Sequence, residues 1–387
     1  MIRLIAAMAF AMLLAACGQD TSPPQTAETT APAAEAAPAE AAEPEASTAL
    51  QHSGILKDYM NTEVRPGDDF NAYVNGAWID TAEIPADRAS NSVGLEVHEQ
   101  AVENVRVIIE ESAEGDFAQG TDEQKVGDLY ASYMDMETRN RLGVAPLQDA
   151  FSAIDALSSK EDLAVYFAEA GKLGVDVPFN LDQYADLKDP KTYMIYTWQG
   201  GLGLPDREYY FKEGEDSGKI RTAYVAHIAK MFELAGLPDG EAAAQTIMDL
   251  ETRMAEGHLE KEKTRDMVAL YNKIPLDELP ELMPDFAWQP YLEAAVISDI
   301  DGLVVTQPDY MKTLDGILTG TDMETWKTYL AWNVLRANAS LLNEAIDNQN
   351  FEFYSKTLRG VEQQLPQWKR AVSVVNNNIG EVVGKVY

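Results

Sequence analysis

Cysteine is nearly absent from this chain. Cys17 is the only one in 387 residues, so no intrachain disulfide can form and the fold must rest on packing. Histidine is scarce too: the four, at 52, 98, 227 and 258, include no pair at metal-ligand spacing. With so few histidines, no Ser-His-Asp or Cys-His nucleophile is proposed. Positive charge is thin. Thirty Lys and Arg against 64 Asp and Glu leave a formal net charge of −34, which repels phosphate backbones and excludes nucleic acid as a partner. What is present suffices for a large core, with 46% apolar and 9% aromatic residues. The length allows about two domains.

The first residues form an address. Met1 to Arg3 are positively charged, Leu4 to Leu14 are an apolar run too short to span a bilayer, and small residues lead to Cys17. Leu14-Ala15-Ala16-Cys17 resembles the lipobox of bacterial lipoproteins, which implies cleavage after residue 16 and acylation of Cys17. Two or more acyl chains, each methylene contributing about 0.8 kcal/mol, are enough for stable anchoring. Gly18 stands where an inner-membrane retention signal carries Asp, so the expected location is the outer membrane, facing the periplasm. A plain secretory signal, with Cys17 there by chance, is the other reading.

Residues 17–50 follow as an Ala/Pro/Glu-rich tether without an aromatic or a basic side chain. Such a segment buries too little apolar surface to offset its ordering entropy. From about Leu56 onward helical periodicity dominates, and the expected fold is mainly α, a multi-helix lobe with at most a few short strands. Leu95, Val102, Val105, Ile108 and Ile109 mark one helix; Ile220, Tyr224, Ile228, Met231 and Phe232 mark another. Thr321 and Glu324 have capping-box spacing ahead of Trp326, Leu330 and Leu335. Short strands are expected around Val175 to Phe179 and Tyr193 to Tyr196. From Pro366, apolar residues from Trp368 to Val386 step by three and four with no stop signal, as in a helix cut short.

Several stretches, in order, resemble the N-terminal region of the neprilysin-like zinc metallopeptidases. They are Arg65 to Trp78, Ile84 to Arg88, Lys125 to Tyr130 and Gly200-Gly201-Leu202-Gly203-Leu204-Pro205-Asp206-Arg207-Glu208-Tyr209-Tyr210. Tyr354 to Leu358, Pro366 to Arg370 and Gly384 to Tyr387 complete the series. The resemblance implies a helical lobe, residues 51–387, that closes over an active site and restricts it to peptides. It also implies zinc in a full-length parent, held by a His-Glu-x-x-His helix in a C-terminal catalytic domain. That signature does not occur here. The chain is therefore expected to be the N-terminal portion of a longer endopeptidase, with peptide substrates, the C-terminal domain and the membrane as partners, and inactive alone. The segment from Pro66 to Pro85 is expected to pack on that absent domain. A second reading, a complete non-catalytic surface lipoprotein that binds peptides or proteins, stays open.

His98-Glu99-Gln100-Ala101-Val102 opens like the zinc signature but has Val in place of the second histidine. His98 is expected as a satisfied, partly buried histidine in line with Leu95, Val102 and Val105. The resemblance places it where family members carry a substrate-contacting arginine, whose fork an imidazole would not reproduce. His258 and Glu262, preceded by Glu251, could form a metal pair; a solvated charged face is the ordinary reading. Gly200-Gly201-Leu202-Gly203 lacks the context of a phosphate loop and is expected to make a tight turn, with Asp206 and Arg207 as a local ion pair. No residue of this chain is assigned to catalysis or to a metal, and Cys17 is the one assigned site, for lipidation.

Overall fold

The computed structural model describes residues 55–387, so Cys17 and the tether lie outside the described residues. The described residues divide into two units, one ending at residue 75 and the other running from 76 to 387. In the first, Asp69 accepts the Ala72 N–H at 2.9 Å to start α1 (Phe70–Ile79), and the Asn61 N–H donates to Tyr73 O at 2.9 Å. Phe70 is 67% exposed on this helix.

The second unit is mainly α, as the periodicity predicts, and the described residues hold 15 α-helices and one four-stranded sheet. No described helix is long and apolar enough to cross a membrane. Side-chain caps set many of the helix starts. Ser92 accepts the Leu95 N–H to begin α2 (Val93–Glu114), and Thr121 accepts the Gln124 N–H to begin α3 (Asp122–Met134). The next helices are α4 (Met136–Leu142), α5 (Gln148–Asp155) and α6 (Lys160–Lys172), the last opened by a Ser159/Asp162 capping box.

The sheet has the order β1-β2-β4-β3. β1 (Phe179–Ala185) pairs antiparallel with β2 (Tyr193–Gln199), which runs parallel to β4 (Gly302–Val305); β3 (Lys273–Pro275) closes the other edge. The second strand falls where the sequence places it. The first does not: Val175 and Val177 are buried loop residues, and pairing begins only after Pro178, which has no N–H to give to a ladder.

The remaining helices are α7 (Glu208–Phe211), α8 (Glu215–Ala235), α9 (Gly240–Gly257), α10 (Leu279–Leu282), α11 (Trp288–Ala294), α12 (Pro308–Thr319), α13 (Met323–Asn338), α14 (Glu344–Phe351) and α15 (Gln367–Val386). Helix α13 is capped one residue later than its sequence suggests. Asp322 accepts both the N–H and the hydroxyl of Thr325, at 2.9 and 3.0 Å, while the Thr321 hydroxyl accepts from Arg253. Two main apolar cores result. The larger unites α5 to α14 around Trp326, Trp332, Tyr329 and Phe167. The smaller joins α2, α3 and α15 through Ile109, Val126, Tyr130, Val372 and Val375. The guanidinium of Arg106 lies 4.2 Å over the Trp368 ring beside that core. Arg139 of α4 bolts the two regions together: buried, it donates to the carbonyls of Tyr133, Ser340, Leu341 and Leu342.

Candidate functional site: the glycine segment over a buried carboxylate

β2 ends at Gln199, whose side-chain amide brackets Leu259: Nε2 donates to its carbonyl at 3.1 Å and Oε1 accepts its N–H at 2.7 Å. The chain then runs across the tyrosines of α8 and α13. Gly201 has φ +83°, and a Cβ there would lie 2.4 Å from the Tyr329 hydroxyl. A Cβ on Gly203 would lie 1.7 Å from the Tyr224 hydroxyl. The glycines are thus required by close backbone approach as much as by a turn. Each carbonyl of the run finds a side-chain donor. Tyr329 donates to Gly201 O at 2.8 Å, Arg336 to Leu202 O at 3.2 Å, and Tyr354 to Gly203 O at 3.1 Å. The Leu204 N–H donates to the Tyr210 oxygen at 3.1 Å.

Beneath the segment sits Glu251 of α9, fully buried. Tyr210 donates to it at 2.7 Å and Tyr224 at 2.9 Å, and Trp332 Nε1 donates to the Tyr224 oxygen at 3.1 Å. Burial pushes the Glu251 carboxyl up to about 7, against the opposing pull of Arg336 and the two tyrosine hydroxyls. The same burial, and the charge of Glu251, push both tyrosines well above their ordinary range. Burial works against the charge on Arg336, but Tyr354 and Asp176 more than offset it, and its Nη2 reaches Asp176 Oδ2 at 2.6 Å. On its outer side the segment lines an open cavity of about 360 Å³, shared with Asn180, Asp206, His258 and Lys261. The arrangement is a wall with polar main chain and mixed charge on its open face, pinned by hydroxyls and a guanidinium from three helical elements. It suits recognition and shape.

His98 is exposed, contrary to the expected partial burial. The inward stripe of α2 passes through Val102, Val105, Ile109 and Ala113, because α3 and α15 pack on that side, and Glu99 rather than His98 borders it. Burial alone would raise the Glu99 carboxyl, yet hydrogen bonds from Lys369 and Arg88 hold it below the usual range. His258 is only 8% exposed, so the solvated-face reading fails for it. Its ring packs edge-on against Tyr310 at 4.5 Å, and burial lowers it to about 4 despite a hydrogen bond with the Gly200 backbone. Glu262 is exposed in the following turn. Asp206 and Arg207 do not pair, because each is drawn to another partner, and the Arg207 Nε donates to the Ala255 carbonyl at 3.2 Å. Asp206 instead lies 3.6 Å from Lys261, and Arg207 lies 3.2 Å from Glu208.

Among the described residues, no three or more His, Cys, Asp and Glu side chains are grouped so as to hold a metal ion. The described residues therefore do not fit a zinc ion. Sequence reasoning placed Glu251 only beside a possible metal pair, not under the glycine segment, and missed Arg336. A signal existed for the first: Glu251 continues the stripe Ala244, Ile247, Met248 and Leu250 to Met254, where an acid is out of place.

The structure of zinc metalloprotease Zmp1 from Mycobacterium tuberculosis, solved with an inhibitor, superposes with a TM-score of 0.80 at 36% identity, covering 87% of this chain and 51% of that one. PepO from Lactobacillus rhamnosis shares the fold, with a TM-score of 0.69 at 19% identity over 84% of this chain and 51% of that one. Endothelin-converting enzyme 1 of Rattus norvegicus is 27% identical over 354 residues, 87% of this chain and 45% of its own. The fold is thus that of a neprilysin-like helical lobe. The N-terminal model of peptidase family M13 matches residues 66–387, and the chain belongs to that family. It spans about half the length of the relatives it matches.

Proposed function

We propose that this chain is the access-restricting helical portion of a cell-envelope zinc metalloendopeptidase that hydrolyses peptides. The zinc ligands and the water-activating glutamate would be supplied by a C-terminal catalytic domain outside this sequence, and the chain alone would be inactive. The observation that carries the reading is the match of residues 66–387 to the N-terminal family model, with about half of each relative left uncovered. The Gly200–Tyr210 wall supports it, because a lobe that screens substrates by size must keep its shape. In this reading residues 1–16 are a signal peptide, Cys17 carries the lipid, and residues 17–50 hold the lobe off an outer membrane facing the periplasm. The test is to read the genomic DNA past the last codon and express the longer product. Zinc-dependent cleavage of short peptides, with folded proteins spared, is expected. A stop codon directly after Tyr387 would refute the reading.

A further inference from the structure

We propose that the groove between α5 and α6 binds a cationic amphipathic helix presented by another polypeptide. The groove has a volume of about 950 Å³, near the upper end of the ordinary range for binding sites. Its apolar surface comes from Ala150, Ala153, Leu157, Val165, Tyr166 and Leu173. Leu173, 81% exposed, is the most exposed leucine among the described residues and extends this apolar surface to the groove's rim.

The charged residues that line it have one sign. Asp149, Glu161, Asp162 and Glu169 line the groove, and no Lys or Arg does. Two of these are already engaged: Asp162 accepts from Ser158 and Ser159, and Glu169 pairs with Lys172 at 2.9 Å. Asp149 and Glu161 are exposed to solvent at the first turns of α5 and α6. An apolar floor flanked by exposed carboxylates calls for an occupant apolar on one side and basic along its flank.

The walls select the shape of that occupant. Both long sides are helical, and no strand edge contributes a main-chain ladder. On α6, Glu161, Val165, Glu169 and Leu173 recur every fourth residue, a ridge about 18 Å long that would accept a helix of roughly three turns. The net charge of −34 would speed the approach of a basic partner and repel an acidic one. This inference is separate from the peptidase reading, since binding is measured without turnover.

The test uses the chain itself and a fluorescent synthetic helix of about three turns, leucine on one face and lysine on the other, followed by anisotropy. The control substitution pair matters because a chain this acidic attracts any cation. Asp149→Asn with Glu161→Gln removes two charges at the groove; Glu215→Gln with Asp216→Asn removes two from the first turn of α8, where both side chains are almost fully exposed. The groove pair is expected to weaken binding about tenfold and the remote pair less than about twofold. Ala153→Arg, at an exposed position, should block the groove with the fold intact by circular dichroism. Equal losses in the two pairs, no loss in the groove pair, or no binding by the parent chain would each overturn the proposal.

Discussion

Glu251→Gln isolates the buried carboxylate under the glycine segment. In the folded chain burial holds this group near 7, against an ordinary value of 4.5. An acid raised on folding favours the native state below its unfolded pKa, and that advantage disappears as pH climbs through the folded value. The window therefore runs from about pH 4.5 to about pH 7. At 1.36 kcal/mol per unit the full change is roughly 3 kcal/mol, with no discount for exposure because the side chain is fully buried. His227 and His258, lowered by burial to about 3 and about 4, drive stability the opposite way as pH falls, so the wild-type profile alone is not diagnostic. The difference between variant and wild type is diagnostic, because the amide does not titrate and the histidines cancel. Urea unfolding followed by tryptophan fluorescence from pH 5 to 8 supplies it. The variant should gain on the wild type by about 2 to 3 kcal/mol across that range. Parallel profiles would refute the placement of a protonatable carboxylate among Tyr210, Tyr224 and Arg336.

Gly203→Ala drives a methyl group into the Tyr224 hydroxyl and should cost about 3 to 5 kcal/mol by overpacking and by breaking the bond to Glu251. Gly218→Ala, with nothing within 4 Å, should instead be neutral or slightly stabilising in the same denaturation assay. Arg139→Ala strands the carbonyls of Tyr133, Ser340 and Leu342 and should destabilise by about 3 kcal/mol; lysine, which lacks the planar fork, should not restore it in thermal melts. Cys17→Ser should move the protein from the membrane pellet to the soluble fraction on cell fractionation.

The long helices were legible because their apolar stripes are regular: Ile220 to Phe232 predicts α8, and Trp368 to Val386 predicts α15. The ordered motifs gave the fold class. Phase was harder. Leu95, Val102 and Val105 admit His98 to the same stripe, and only the positions of α3 and α15 turn it outward. β4 is four buried residues with no alternation, indistinguishable in sequence from a fragment of helix or loop. The glycine segment was recognisable, but its purpose was not. Its need for glycine comes from Tyr224 and Tyr329, hydroxyls brought in from elements far along the chain. Cap boundaries slipped for a local reason: Thr321 and Asp322 both suit an N-cap, and Asp322 captures two donors of Thr325.

If the chain is the screening lobe proposed above, the metal chemistry resides in polypeptide outside it. The most direct measurement is the zinc content and peptide-hydrolysing activity of the purified chain after equilibration with zinc and repurification. The account predicts no stoichiometric zinc and no metal-dependent turnover. One tightly held zinc per chain, with turnover that a chelator abolishes, would contradict it.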